Sequence, residues 1–253
     1  MHGAITLCAK SMLRSGVGML TLCIPHDIVP ILSLKIEECM ILDVPAKDGY
    51  FAKEAIGIVK ENLDAYDTIV IGNGMGRNDV THDLVKCVLE SDKPCILDGD
   101  ALFVLGQQLS LLEKRKATTI LTPHPKEVSY LTGRSIHELL QDPFAQALHF
   151  TSQFDQVVLI WKDQYTMVTD GKGLCINTAG NNALAKGGSG DVLCGIIAGL
   201  FAQSKNAYHA SIAGVYVHAL CADTLIQKED ANSILPSDLI MILSQVYKAL
   251  RME

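Results

Sequence analysis

Residues 177–203 read NTAGNNALAKGGSGDVLCGIIAGLFAQ. Gly187, Gly188 and Gly190 fall within four positions and run directly into a strongly apolar helical pattern. Glycines carry no Cβ and reach positive φ, so successive backbone N–H groups can converge on one point. The helix behind them adds its unpaired first-turn amides and the positive end of its dipole. That combination suits a phosphate with developing negative charge. Asp191 stands in the first turn of this helix and has two readings. An aspartate there often does no more than stabilise a helix start. Capping, however, needs no cluster of glycines. The cluster favours Asp191 as a base that takes the proton of a substrate hydroxyl attacking phosphorus, with the Gly188–Gly190 amides around the transferred group. The turn is not a Walker loop, because no Lys-Ser/Thr pair follows its last glycine. Nor is it a dinucleotide fingerprint, since it lies late and follows no short strand.

Outward from this turn the chain alternates short β-branched runs with helix-period segments. Strands are predicted at residues 18–24, 68–72, 94–98, 118–122 and 156–162, apolar at nearly every position as in parallel strands buried on both faces. Helices are predicted at 4–14, 52–62, 81–89, 126–131 and 143–154. Residues 162–170 and 174–178, joined through GKG, predict a hairpin and an antiparallel edge. Three long helices follow at 191–203, 206–227 and 236–251. The expectation is a three-layer α/β/α fold, mostly parallel with an antiparallel edge, in a single domain over residues 1–253. A doubly wound sheet usually opens on a strand and a glycine turn, whereas this sequence opens on a helical pattern. Either the fold starts differently here or a first strand is missing.

Bulk properties narrow the class. With 49% hydrophobic and 19% charged residues, the chain has material for a large core and too little charge for disorder. A net charge of −7 argues against nucleic acid or anionic membrane as the main partner. The most apolar run, residues 192–202, is about half of the roughly 20 residues that span a bilayer. The first 16 residues read as an amphipathic helix with Lys10 and Arg14 rather than a signal peptide. The eight cysteines form no CxxC pair and sit mostly in apolar runs, as reduced, buried thiols do. A cytoplasmic protein is expected.

The same glycine segment resembles the signature of the ADP/ATP-dependent NAD(P)H-hydrate dehydratases of the ribokinase-like superfamily. Further motifs follow in the family's order: TIVIGNGMGRN (68–78), ILDGDAL (96–102) and LTPHPKEVSYLTG (121–133), with HGAITLCAKSMLRSGVGMLTL (2–22) resembling its first helix and second strand. The resemblance spans essentially the whole chain. It implies repair of a hydrated nicotinamide: ADP or ATP, with Mg²⁺, phosphorylates the 6-hydroxyl of NADHX or NADPHX, and loss of phosphate restores NADH or NADPH. Asp191 would be the base. Ala4, Gly74, Gly76 and His124 would border the hydrated nucleotide. Lys162, Asp163, Gln164, Tyr165 and Thr166, a KDQYT turn, would contact the adenine nucleotide with Gly188, Ser189 and Gly190; Asp163 departs from the glycine of the family's turn. The resemblance also implies a homotetramer, and a strand and glycine turn ahead of the first helix.

Several residues keep two readings. Asp98 and Asp100 either position water, Mg²⁺ or ribose, or cap the helix that starts at Ala101, with capping slightly favoured. Asn181 and Asn182 either orient phosphate or sugar hydroxyls or simply form a turn. Two other functions stay open: a thiazole- or hydroxymethylpyrimidine-type kinase of the same superfamily, and a degenerate relative that only binds nucleotide.

Overall fold

In the computed structural model, which describes residues 1–252, the apolar runs lie side by side and the helices cover both their faces. Helix α1 (His2–Arg14) leads through β1 (Thr21–Pro25) and α2 (Val29–Ser33) to β2 (Met40–Val44). A small hairpin, β3 (Ala46–Lys47) and β4 (Tyr50–Phe51), precedes α3 (Ala55–Asn62). Next come β5 (Ile69–Ile71), α4 (Asp79–Glu90), β6 (Cys95–Leu97), α5 (Asp100–Gln107), α6 (Ser110–Lys114) and β7 (Thr119–Leu121). Helices α7 (Pro125–Thr132), α8 (Ile136–Leu139) and α9 (Pro143–Thr151) lead to β8 (Val157–Trp161), β9 (Met167–Thr169) and β10 (Leu174–Ile176). The last three helices are α10 (Ser189–Ser204), α11 (Ala207–Leu225) and α12 (Pro236–Leu250).

The central sheet has the order β10-β9-β8-β7-β6-β5. Strands β5 to β8 are parallel, and β9 and β10 run antiparallel at one edge. Alternation along each strand explains the layers. Ile96, Ile120, Val158 and Ile160 face α1, α10 and α11, whereas Leu97, Leu121, Leu159 and Trp161 face the helices of the opposite layer. Helix α10 is buried on nearly every side, which is why its sequence is apolar all round. It meets α1 backbone to backbone: a Cβ on Gly195 would lie 2.0 Å from Ser11 Oγ and 2.2 Å from the Cys8 carbonyl oxygen.

Two expectations need correction. The strand expected at 18–24 forms as β1, but it pairs in parallel with β2 and not with the central sheet. Nothing in its composition marks the partner, because β2 is half exposed and reads as a surface segment. A cavity of about 900 Å³ separates β1 from β5, lined by Leu22, Ile24, Val70 and Ile71 with Met12 and Val88 above and below. The hairpin strand expected from residue 162 starts only at Met167, because Lys162 turns into the interior at the end of β8.

One buried cation belongs to the scaffold. Arg115, 6% exposed, has no carboxylate partner among the described residues. Its Nη1 donates to the carbonyls of Val88, Leu89 and Ser91 at 3.1, 2.7 and 2.6 Å, its Nη2 to Lys93, and its Nε to Thr119 Oγ1 at 2.8 Å. The guanidinium therefore satisfies the carboxyl end of α4, where a cation is also favoured by the helix dipole. Arg115→Met is expected to cost about 3 kcal/mol, because it strands several buried carbonyls at once. Urea unfolding of the two proteins measures it, and a change below about 1 kcal/mol would contradict this role.

All eight cysteines are free thiols; Cys8, Cys95, Cys194 and Cys221 are fully buried and the other four half-buried. Among the described residues, no helix is long and apolar enough to cross a membrane.

Candidate active site

Four neighbouring strands each end on a polar residue aimed at the start of α10. After β5 comes Asn73, after β6 Asp98, after β7 Thr122 and after β8 Lys162. Carboxyl ends of parallel strands are where open α/β sheets place ligands. Gly72 makes the first of these exits possible. Its φ is +117°, and a Cβ there would sit 1.8 Å from the Asp98 carbonyl oxygen, so only glycine fits.

The four residues and Asp191 form one hydrogen-bonded chain. Asn73 Nδ2 donates to Asp191 Oδ1 at 2.7 Å and to Asp98 Oδ2 at 3.0 Å. Asp98 Oδ1 accepts from Thr122 Oγ1 at 2.6 Å and from Lys162 Nζ at 2.9 Å. The ammonium is also 4.0 Å from Glu127 Oε2 and 3.3 Å from where a Gly190 Cβ would be. A fixed positive charge thus lies against the glycine turn. Burial works to lower the Lys162 pKa, but Asp98 and Glu127 outweigh it and hold it above the usual lysine value. The lysine stays charged.

Asp191 has the opposite balance. Burial, helped by the nearby Asp98 charge, lifts its carboxyl above the usual range, while the Asn73 hydrogen bond and Lys162 hold it down. Among the described residues no side chain donates to its Oδ2. That oxygen is left for a substrate proton.

The glycine turn presents fewer amides than its sequence suggests. Gly188 is left-handed, φ +102°, and packs on Leu7 and Pro236. The Ser189 N–H is turned back to the Lys186 carbonyl oxygen at 3.1 Å, and its buried Oγ has no partner among the described residues. Among the described residues, the amides of Gly190 and Asp191, in the first turn of α10, have no carbonyl to pair with.

His124 and Glu127 cap α7 reciprocally. His124 Nδ1 accepts the Glu127 N–H at 3.2 Å, and Glu127 Oε2 accepts the His124 N–H at 2.9 Å. Burial first, then Lys162, lowers the His124 pKa, so the ring is neutral. With Nδ1 an acceptor, its proton lies on Nε2, at the half-exposed edge of the ring. Burial pushes Glu127 up to about 7, against the pull of Lys162.

The remaining candidates are placed as follows. Ala4, in the first turn of α1, has its Cβ 3.1 Å from where a Gly74 Cβ would be, so both border the same turn. The Gly76 N–H donates to Asp100 Oδ2 at 2.8 Å, and Arg77 Nε donates to Asp100 Oδ1 at 3.1 Å. Arg77 also lies 4.3 Å over the Phe103 ring. Neither Asp98 nor Asp100 caps a helix through its side chain, which corrects the capping preference: Gly99 takes the cap position of α5. Asn181 takes the turn-forming role, with Oδ1 accepting the Ala183 N–H and Nδ2 donating to Asp223 at 2.8 Å. Lys162 is parted from Asp163, Gln164 and Tyr165, which form an exposed turn; Thr166 is half-buried beside them. Asn73, Thr122, Glu127 and Asp223 were not singled out by the sequence reading. Asn73 sits inside the Gly-x-Gly of the predicted β5 turn and Thr122 just ahead of PHP, so both positions were visible but their aim was not.

Among the described residues no three His, Cys, Asp or Glu side chains converge as a metal cage. Asp98 is already engaged on both oxygens. Mg²⁺ is usually carried by nucleotide phosphates with few protein ligands, and the donors present fit it in that manner.

Comparison with known proteins agrees with this geometry. The family model described as NAD(P)H-hydrate dehydratase matches residues 1–245. The ADP-dependent (S)-NAD(P)H-hydrate dehydratase of Bacillus subtilis is 32% identical over 98% of this chain and 85% of its own length. The bifunctional NAD(P)H-hydrate repair enzyme of Moorella thermoacetica is 33% identical over 99% of this chain and 48% of its own. The chain thus spans about half the length of such bifunctional relatives. The B. subtilis ADP/ATP-dependent dehydratase co-crystallised with ATP/Mg²⁺ superposes with a TM-score of 0.84 at 30% identity, covering 98% of this chain and 85% of that one. A ribokinase-like superfamily protein of Enterococcus faecalis superposes at 0.82 with 25% identity, covering 97% and 82%. On this footing the chain belongs to the NAD(P)H-hydrate dehydratase family and carries its ribokinase-like α/β fold.

Proposed function

We propose that the protein converts NADHX or NADPHX to NADH or NADPH at the expense of ADP or ATP, releasing AMP or ADP and phosphate. The observation that carries this is the free Oδ2 of Asp191, held beside unpaired first-turn amides and the Lys162 ammonium. Asp191 Oδ2 takes the proton of the 6-hydroxyl as that oxygen attacks the terminal phosphorus and the nucleoside phosphate leaves. Lys162 and the Gly190 and Asp191 amides carry the charge of the transferred phosphoryl group. Nucleotide-bound Mg²⁺ would neutralise part of the same charge. Hydroxide leaves poorly, whereas phosphate departs with the C–O bonding electrons as the ring nitrogen lone pair moves in. Loss of a proton from C5 then closes the ring double bond. Ala4, Gly74, Gly76 and the Nε2–H of His124 border the nicotinamide side, and the 163–166 turn the adenine side.

The test is incubation with NADH-hydrate and ADP or ATP. Dihydronicotinamide absorbance is expected to recover, with one phosphate released per turnover. A stable phosphorylated product would favour a small-molecule kinase, and no product from a folded, nucleotide-binding sample would leave only a degenerate relative.

The same reading makes residues 1–253 one domain, cytoplasmic and without a role on nucleic acid, supported by eight free thiols and a net charge of −7. A homotetramer, as the family resemblance implies, belongs to the same reading. Among the described residues the edges of β1 and β5 that face one cavity are unpaired, which supports a further strand between them.

A further inference from the structure

We propose that Asn73 is a positioning residue for Asp191, orienting its carboxylate by donating one amide hydrogen to it and the other to Asp98. This deepens the function above and rests on Asp191 being the base. The backbone around Asn73 is set by two glycines of positive φ, Gly72 at +117° and Gly74 at +68°. Only the side chain's own torsions remain free, and they point it between two carboxylates that come from different elements, β6 and α10. The contacts at 2.7 and 3.0 Å both use Nδ2. That orientation is forced: an ionised carboxylate accepts only, so the amide must turn its NH₂ to both. The other end agrees, since Cys194 Sγ approaches Asn73 Oδ1 at 3.8 Å from one turn further along α10. The Cys194 thiol, pushed well up by Cys8 and by burial, is a neutral donor.

The consequence for Asp191 is geometric first. Oδ1 is occupied by Asn73, so Oδ2 is the oxygen left for a substrate proton. Asn73 also bridges two negative groups without adding charge, and it links Asp191 through Asp98 to Lys162. The charged groups bearing on Asp191 are Asp98, which makes proton loss harder, and Lys162 and the Met1 amino group, which make it easier. The Asn73 hydrogen bond is stronger to the ionised form than to the neutral acid. Its removal must therefore raise the pH at which Asp191 ionises and free its carboxylate to turn.

The experiment titrates Asp191 directly by carboxyl ¹³C NMR of aspartate-labelled protein, the resonance being assigned by its loss in Asp191→Asn. In the unsubstituted protein, the Asn73 side-chain amide signals are expected to follow the same midpoint. In Asn73→Ala and in the similarly shaped Asn73→Leu the midpoint is expected to rise by roughly one pH unit, the size of a hydrogen bond to a charged group. The acid limb of the kcat profile is expected to move with it, and kcat on the plateau above that limb to fall about tenfold from lost orientation of the carboxylate, with the nucleotide KM within about twofold. An Asp191 midpoint that stays put in both variants, or Asn73 signals that ignore it, would overturn the proposal. Because the titration needs no substrate, its outcome is separate from the dehydratase reading. A shifted midpoint in a protein that fails to repair NADH-hydrate would sink the reaction and leave the positioning role standing.

Discussion

Asp191→Asn is expected to lower kcat by roughly 10²- to 10⁴-fold, the range for removing a general base. The reason is local. Oδ1 of Asp191 is spent on Asn73, and the free oxygen is the only atom of the residue that can take a proton from substrate. An amide in its place keeps the shape and the position in the first turn of α10 but accepts protons poorly. Nucleotide affinity is expected to hold within about threefold, since the phosphate meets the turn amides and Lys162 rather than the carboxylate. Stability should hold or rise slightly, because a buried carboxylate whose pKa is lifted by burial is replaced by a neutral group. Single-turnover dehydration with NADH-hydrate, nucleotide titration by calorimetry and urea unfolding measure the three. If the variant kept turnover within tenfold of the unsubstituted protein, Asp191 would be a helix-start aspartate and no base.

Lys162→Met should act on both binding and stability. The ammonium lies 2.9 Å from Asp98 and 4.0 Å from Glu127, with the glycine turn on its other side. Removing it leaves two buried carboxylates facing each other and the turn without its fixed cation. Breaking a buried pair from one side costs roughly 3–5 kcal/mol. The lower end is expected here, because Thr122 and Asn73 still donate to Asp98. Without Lys162, Glu127, already at about 7, should be protonated through the neutral range, since the cation is what pulls its pKa down. The charge on the transferred phosphoryl group would lose its strongest partner, so kcat/KM is expected to fall by about 10²- to 10³-fold. Urea unfolding and steady-state kinetics on the same preparation separate the two effects. A variant that lost stability alone would make Lys162 a purely structural cation for Asp98.

The sequence carried the local chemistry of this protein. Runs such as CILDGD and TTILTPHP are apolar at nearly every strand position because both faces of a parallel strand are covered, so β5 to β8 and their order of appearance were readable. The glycines at 187, 188 and 190 announced an anion turn because no other residue is needed so often in one place. What a linear chain does not carry is which side chains from distant turns share one point. Asn73, Asp98, Thr122 and Lys162 are up to 89 residues apart, and each is an ordinary polar residue at a strand end. Only the register of four parallel strands brings them to Asp191. The partner of β1 was hidden for the same reason, since pairing is a choice between strands and not a property of either. Tertiary structure also turned the Ser189 amide away from the turn and gave Asp98 to Lys162 in place of a helix cap. The glycine turn and its aspartate are therefore set by local conformational freedom, which residues encode singly. The state of the aspartate is set by burial and neighbouring charge, which exist only once the chain has folded.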